Sequence, residues 1–137
     1  MATVKTKYLG ELRTEMTHLQ SSSVVCTDAP TDNHGKGETF SPTDFVASAL
    51  TSCMLTIIGI SAEAHNFSIE GVEAETTKVM CADPRRIGEI IVTFNFPLDY
   101  TDSQKRIIEA AANTCPVEKS LHPDIIRTVT FNYGVEL

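Results

Sequence analysis

The sequence predicts an α+β domain with mostly antiparallel strands, in the order β-β-α-β-β-α-α-β, and three segments carry that prediction. Residues 41–65 open on a helix-start signal and then run apolar. Residues 87–97 alternate apolar and polar side chains. Residues 101–115 open on a second helix-start signal and carry one apolar stripe. Helices grouped between pairs of strands suit an α+β architecture better than an alternating βαβ one.

The elements follow in order. Residues 5–28 read as two strands, with Tyr8, Leu12 and Met16 on one face and Lys7, Glu11, Arg13 and Glu15 on the other. The run from Gln20 through Ser23 makes the turn between them, and residues 24–27 return. Residues 29–40 are rich in Pro, Gly, Asn and Asp and read as a loop. Ser41 then suits an N-cap, Pro42 the first helical position, and Asp44 completes a capping-box-like pattern. The helix should run over 42–65. Val46, Leu50, Met54, Ile57 and Ile60 spread around it, which predicts burial on most sides.

Residues 69–80 and 87–97 read as a hairpin with Asp83-Pro84-Arg85-Arg86 at its tip, and Ile90, Val92, Phe94 and Phe96 share a face of its second strand. Thr101 and Gln104 form a capping box for a helix over 101–114, striped by Ile107, Ile108, Ala111 and Cys115. Pro116 breaks that helix and can open a short one over 117–121. Residues 125–135 alternate Val129, Phe131, Tyr133 and Val135 with polar neighbours, as a strand does. No linker or repeat interrupts residues 1–137, so a single domain is expected.

Composition narrows the function. The chain has 137 residues, 42% of them apolar, enough for one core. The formal net charge is -7, which argues against nucleic acid and against anionic membrane surfaces. The apolar stretch over 45–60 is interrupted by Ser48, Thr51, Ser52 and Thr56, and reads as too short for a membrane span. The N-terminus lacks the apolar core of a signal peptide, so the cytosol is the expected compartment. Structural disulfides are rare there, and Cys26, Cys53, Cys81 and Cys115 are expected as free thiols. They form no CxxC pair and have no His at zinc-ligand spacing, so neither a metal nor another bound cofactor is expected.

Two of the thiols stand out. Cys53 lies mid-helix, where position alone suggests a small apolar packing residue. Cys115 directly precedes the proline that opens the short helix. As an N-cap its sulfur would meet unpaired N–H groups, which favour a thiolate and lower its pKa. It could equally close the apolar stripe of the preceding helix. Cys26, in an early strand, and Cys81, near a hairpin tip, read as incidental.

The contexts of Cys53 and Cys115 together resemble a known family. SPTDFVASALTSCMLTI, residues 41–57, is similar to the central-helix motif of the OsmC/Ohr family. TCPVEKSL, residues 114–121, is similar to that family's second cysteine motif. The likeness extends over the whole chain. It implies mostly antiparallel sheets wrapped around two central helices in an intertwined homodimer, with the sites at the dimer interface. It implies a peroxidase that reduces organic hydroperoxides, and in some members hydrogen peroxide, in oxidative-stress defence. Cys53 would then be the peroxidatic thiol and Cys115 the resolving one, with an external dithiol such as dihydrolipoamide as reductant. Arg13, in the first strands, matches the activating arginine. The supporting carboxylate departs from the Ohr pattern: Thr43 stands ten residues ahead of Cys53, where that branch has Glu. Glu38 is the favoured substitute, with Asp44 the other candidate. This places the chain in a general OsmC-like branch. The competing expectation is a non-enzymatic dimer of the same fold, a small-ligand binding or structural protein whose cysteines only pack.

Overall fold

The computed structural model describes all 137 residues, which form two compact units, 1–46 and 47–137. The chain is α+β, with two three-stranded sheets and three α-helices.

The first unit is an antiparallel meander of β1 (Val4–Gly10), β2 (Arg13–His18) and β3 (Val24–Asp28). Three strands therefore occupy the stretch expected to hold two. The extra reversal lies at Glu11 and Leu12, whose φ angles are 54° and 64°. Positive φ at both central residues is the turn type that best matches strand twist, and it usually selects Asn-Gly. Glu-Leu gives no such signal, so the turn is invisible to composition. β1 then pairs Tyr8 with Thr14 and Gly10 with Arg13. The second turn falls at Ser21 to Ser23, within the predicted run, and the His18 amide closes it on the Ser23 carbonyl at 2.8 Å. After β3 the chain makes one short 3-10 turn, Thr31–Asn33, and reaches the first residues of α1 (Pro42–Ala64).

In the second unit α1 is followed by β4 (Glu73–Cys81), β5 (Arg86–Phe96), α2 (Asp102–Ala112), α3 (Pro116–Ser120) and β6 (Ile126–Tyr133). The sheet order is β4-β5-β6. β4 and β5 form the predicted hairpin, while β6 runs parallel to β5 because two helices carry the chain back between them. On β5 Ile90, Val92, Phe94 and Phe96 are fully buried, and β6 stacks Phe131 on Phe94 at 5.3 Å between ring centres. Against them α1 turns Ala47, Leu50, Thr51, Met54, Ile58 and Ala62. Those positions recur at three- and four-residue spacing, the stripe of an amphipathic helix.

α1 thus corrects two expectations. It is buried along one stripe, not on most sides, and Ile60 is 58% exposed. Its 23 residues, with a mean hydropathy of 1.9 over the best window, are long and apolar enough to cross a bilayer by those measures alone. α2 starts on the predicted capping box, with Thr101 and Gln104 each accepting the other's backbone N–H, and closes the core with Ile108, Ala111 and Ala112.

Candidate active site

Two clusters hold the residues singled out by sequence, one in each unit. In the second unit Cys115 is the N-cap of α3. α2 ends at Ala112, Asn113 caps it, and Pro116 at the first position of α3 fixes the new helix direction. The Cys115 sulfur accepts the Glu118 N–H at 3.4 Å and is also approached by the Val117 N–H. Its side chain is fully buried in the core. The half-buried Cys53 side chain, from the middle of α1, packs against the same core and lies within hydrogen-bonding reach of Cys115.

Burial pushes the Cys115 thiol up from its ordinary pKa, and the hydrogen bond with Cys53 raises it further. The helix N–H groups act in the other direction and are outweighed. The expected lowering is therefore reversed: a helix N-terminus stabilises a thiolate, but losing solvent costs the charged form more.

In the first unit the register of β2 and β3 sets Arg13 opposite Asp28. The Asp28 side chain is fully buried. Its Oδ2 accepts the Glu38 N–H at 3.0 Å and an N–H from Arg13 Nη2 at 3.4 Å. The same Arg13 Nη2 meets the Glu38 carboxylate in a short ion pair. Glu38 is the main cause of a raised Arg13 pKa. The Glu38 N–H, followed by the Arg13 charge, holds Asp28 below the usual carboxylate range against the opposing effect of burial.

The loop between β3 and α1 is folded so that residue 38 returns to residue 28. The Asp28 N–H bonds the Phe40 carbonyl at 3.0 Å, and the Gly35 N–H bonds the Pro30 carbonyl at 3.0 Å. A Cβ at Gly35 would lie 1.7 Å from the Ala29 carbonyl oxygen, so only glycine lets the loop close this tightly. Of the two candidate carboxylates, Glu38 meets the arginine. Asp44 instead accepts the Ser41 N–H at 2.9 Å while its own N–H bonds Ser41 Oγ at 3.1 Å, a reciprocal helix cap.

Asp28 is the group that sequence reasoning missed. Its signal was an acid ending a short strand directly before Ala29-Pro30, but seeing it opposite Arg13 needs the register set by the hidden turn at Glu11. Cys26 is exposed and Cys81 half-buried, both free. No group of three or more His, Cys, Asp or Glu is placed to hold a metal ion.

A buried thiol beside a second thiol on an apolar helix can form a disulfide after oxidation. An arginine clamped by two carboxylates can present a fixed cation. The family model described as OsmC-like protein matches residues 35–129. The chain belongs to the OsmC-like family. Solved structures extend the match over the full OsmC fold. One is a Psychrobacter arcticus 273-4 protein provisionally described as an osmotic-stress-induced and detoxification response protein. It is 52% identical, with 96% of each chain covered and a TM-score of 0.92. An organic hydroperoxide resistance protein OsmC from Legionella pneumophila is 14% identical, covering 96% of this chain and 98% of its own, with a TM-score of 0.75. The organic hydroperoxide resistance protein OhrB of Bacillus subtilis is 18% identical, covering 95% and 98%, with a TM-score of 0.70. The last two are likenesses of fold. No curated protein matches this chain.

Proposed function

We propose that this OsmC-like protein is a two-cysteine peroxidase that reduces organic hydroperoxides in the cytosol as part of oxidative-stress defence. The observation that supports the proposal is that Cys53 of α1 packs against the same core as the buried Cys115, the N-cap of α3. The Cys53 thiolate attacks one peroxide oxygen. The O–O bond breaks, Cys53 becomes a sulfenic acid, and the alkoxide takes a proton and leaves as an alcohol. The Cys115 sulfur then attacks the Cys53 sulfur. The S–S bond forms, the S–O bond breaks, and the hydroxide leaves as water by taking up the proton that Cys115 lost to solvent on ionising. A dithiol such as dihydrolipoamide reduces the disulfide by exchange and is itself oxidised. Arg13, held by Asp28 and Glu38, is proposed as the cation that favours the Cys53 thiolate. Val46 and Ile57, apolar and not fully buried on the side of α1 that carries Cys53, favour an organic peroxide over hydrogen peroxide.

A homodimer belongs to the same proposal. The first unit's sheet leaves Val4, Tyr8, Val24 and Val25 exposed, and α1 leaves Ile60 exposed. Those side chains suit coverage by a second copy.

Steady-state turnover tests the proposal. With reduced lipoamide, cumene hydroperoxide should be consumed at least about tenfold faster than hydrogen peroxide, the scale of a few buried methylenes. Equal or absent turnover of both, with Cys53→Ser behaving as wild type, would leave the non-enzymatic binding dimer.

The raised Cys115 pKa gives a second expectation. Resolution needs the Cys115 thiolate, and burial, the larger cause of the shift, persists after Cys53 is oxidised. Below the pKa the thiolate fraction grows about tenfold per pH unit. The rate of disulfide formation, followed by stopped flow in a single turnover, should therefore climb throughout pH 7–9 without levelling. A plateau already at pH 7 would mean that Cys115 is ionised at neutrality.

A further inference from the structure

Cys115 caps a helix too short to hold its own shape. α3 has five residues, and isolated helices below roughly 12 residues are marginal in water. Its far end is gripped by Arg127. That residue sits on β6 opposite Ile90 of β5, so its backbone is fixed by the sheet. Arg127 Nη2 donates to the Glu118 carbonyl at 3.1 Å and to the Leu121 carbonyl at 3.3 Å, and Nη1 donates to the Ile125 carbonyl at 2.8 Å. Nε faces the Glu118 carboxylate at 3.5 Å, a charge contact without an aligned hydrogen bond. The carbonyls at a helix C-terminus lack intrahelical partners and carry the negative end of its dipole, so a guanidinium suits them.

Glu118 links this clamp to the thiol. Its N–H bonds the Cys115 sulfur, and its carbonyl and carboxylate both face Arg127. We infer that Arg127 is a positioning residue for the resolving step, holding α3 so that the Cys115 sulfur stays beside Cys53 while the disulfide forms. This rests on the two-cysteine reading above. Arg127 takes no part in the first step. In the second, the Cys115 sulfur attacks the Cys53 sulfenic acid, the S–S bond forms as the S–O bond breaks, and water leaves. Arg127 acts only on the distance over which that attack occurs. Its loss lets α3 fray and the thiol wander, and the sulfenic acid meets a second peroxide instead, giving a sulfinic acid.

The test is a single turnover with cumene hydroperoxide on Arg127→Ala, Arg127→Lys and wild type, followed by mass spectrometry of quenched samples. Loss of the first equivalent of peroxide should be unchanged. Disulfide formation should slow about tenfold in Arg127→Ala, the effect of a small misplacement of reacting atoms. Sulfinic acid at Cys53 should accumulate under excess peroxide. Arg127→Lys, which keeps the charge but reaches fewer carbonyls, should slow resolution roughly threefold and carries the test if the alanine variant does not fold. Wild-type resolution rates in either folded variant would overturn the inference. A parallel arm uses diamide, which oxidises the two thiols without peroxide. If wild type ignores peroxide yet forms the disulfide with diamide, and does so slowly without Arg127, the peroxidase proposal fails and the positioning role stands. If diamide also acts equally on all three proteins, both fail.

Discussion

Replacing Cys53 by Ser should remove cumene hydroperoxide turnover altogether, a loss of at least about 10³-fold, because a group that forms the covalent intermediate cannot be substituted in part. A serine hydroxyl stays protonated at neutral pH and its oxygen is a poor nucleophile toward a peroxide, so isosteric packing does not rescue the chemistry. The side chain is half-buried on α1 and its exchange for one of similar size should leave the fold intact. The companion Cys115→Ser protein should behave differently. It should still consume one equivalent of peroxide, since the first step does not need Cys115, and then stall as a sulfenic acid or proceed to sulfinic acid. That asymmetry, read by thiol titration and intact mass, assigns the two roles separately. Equal behaviour of the two variants would contradict it.

Removing the cation is the second large effect expected. Arg13→Ala should lower the peroxide rate at pH 7 by about 10²-fold, the scale on which loss of one preorganised charge or donor at a reacting group acts. A circular-dichroism spectrum unchanged from wild type separates this from a loss of structure. Arg13→Lys should fall between the two. One ammonium cannot copy the way Arg13 meets both Asp28 and Glu38. Wild-type peroxide rates in both variants would remove Arg13 from the mechanism.

The sequence carried most of the second unit and less of the first. The capped helices, the hairpin and the last strand follow from periodicity and start signals, which report local preferences. Whether β6 runs parallel or antiparallel to its neighbour is not a local property, and only the path through α2 and α3 decides it. The turn at Glu11-Leu12 escaped because its residues are poor turn formers held in positive φ by the pairing around them. Missing it hid the register, and with it the buried Asp28 opposite Arg13. The thiols were legible as candidates through their contexts, but their contact was not. Cys115 shows why. Its place as an N-cap was readable, whereas its raised pKa depends on burial and on Cys53, both tertiary facts. The same holds for α1, whose apolar residues look evenly spread in sequence and separate into a buried stripe and an open face only once the sheet is in place.

The central claim is that Cys53 and Cys115 form one redox pair, and a direct measurement tests it. The reduced protein is treated with limiting cumene hydroperoxide, alkylated at once, digested and mapped by mass spectrometry. A Cys53–Cys115 disulfide forming in proportion to the peroxide consumed, and absent in Cys53→Ser, is the predicted result. Consumption with both cysteines still recovered as alkylated thiols, or a disulfide that joins Cys26 or Cys81 instead, would contradict it.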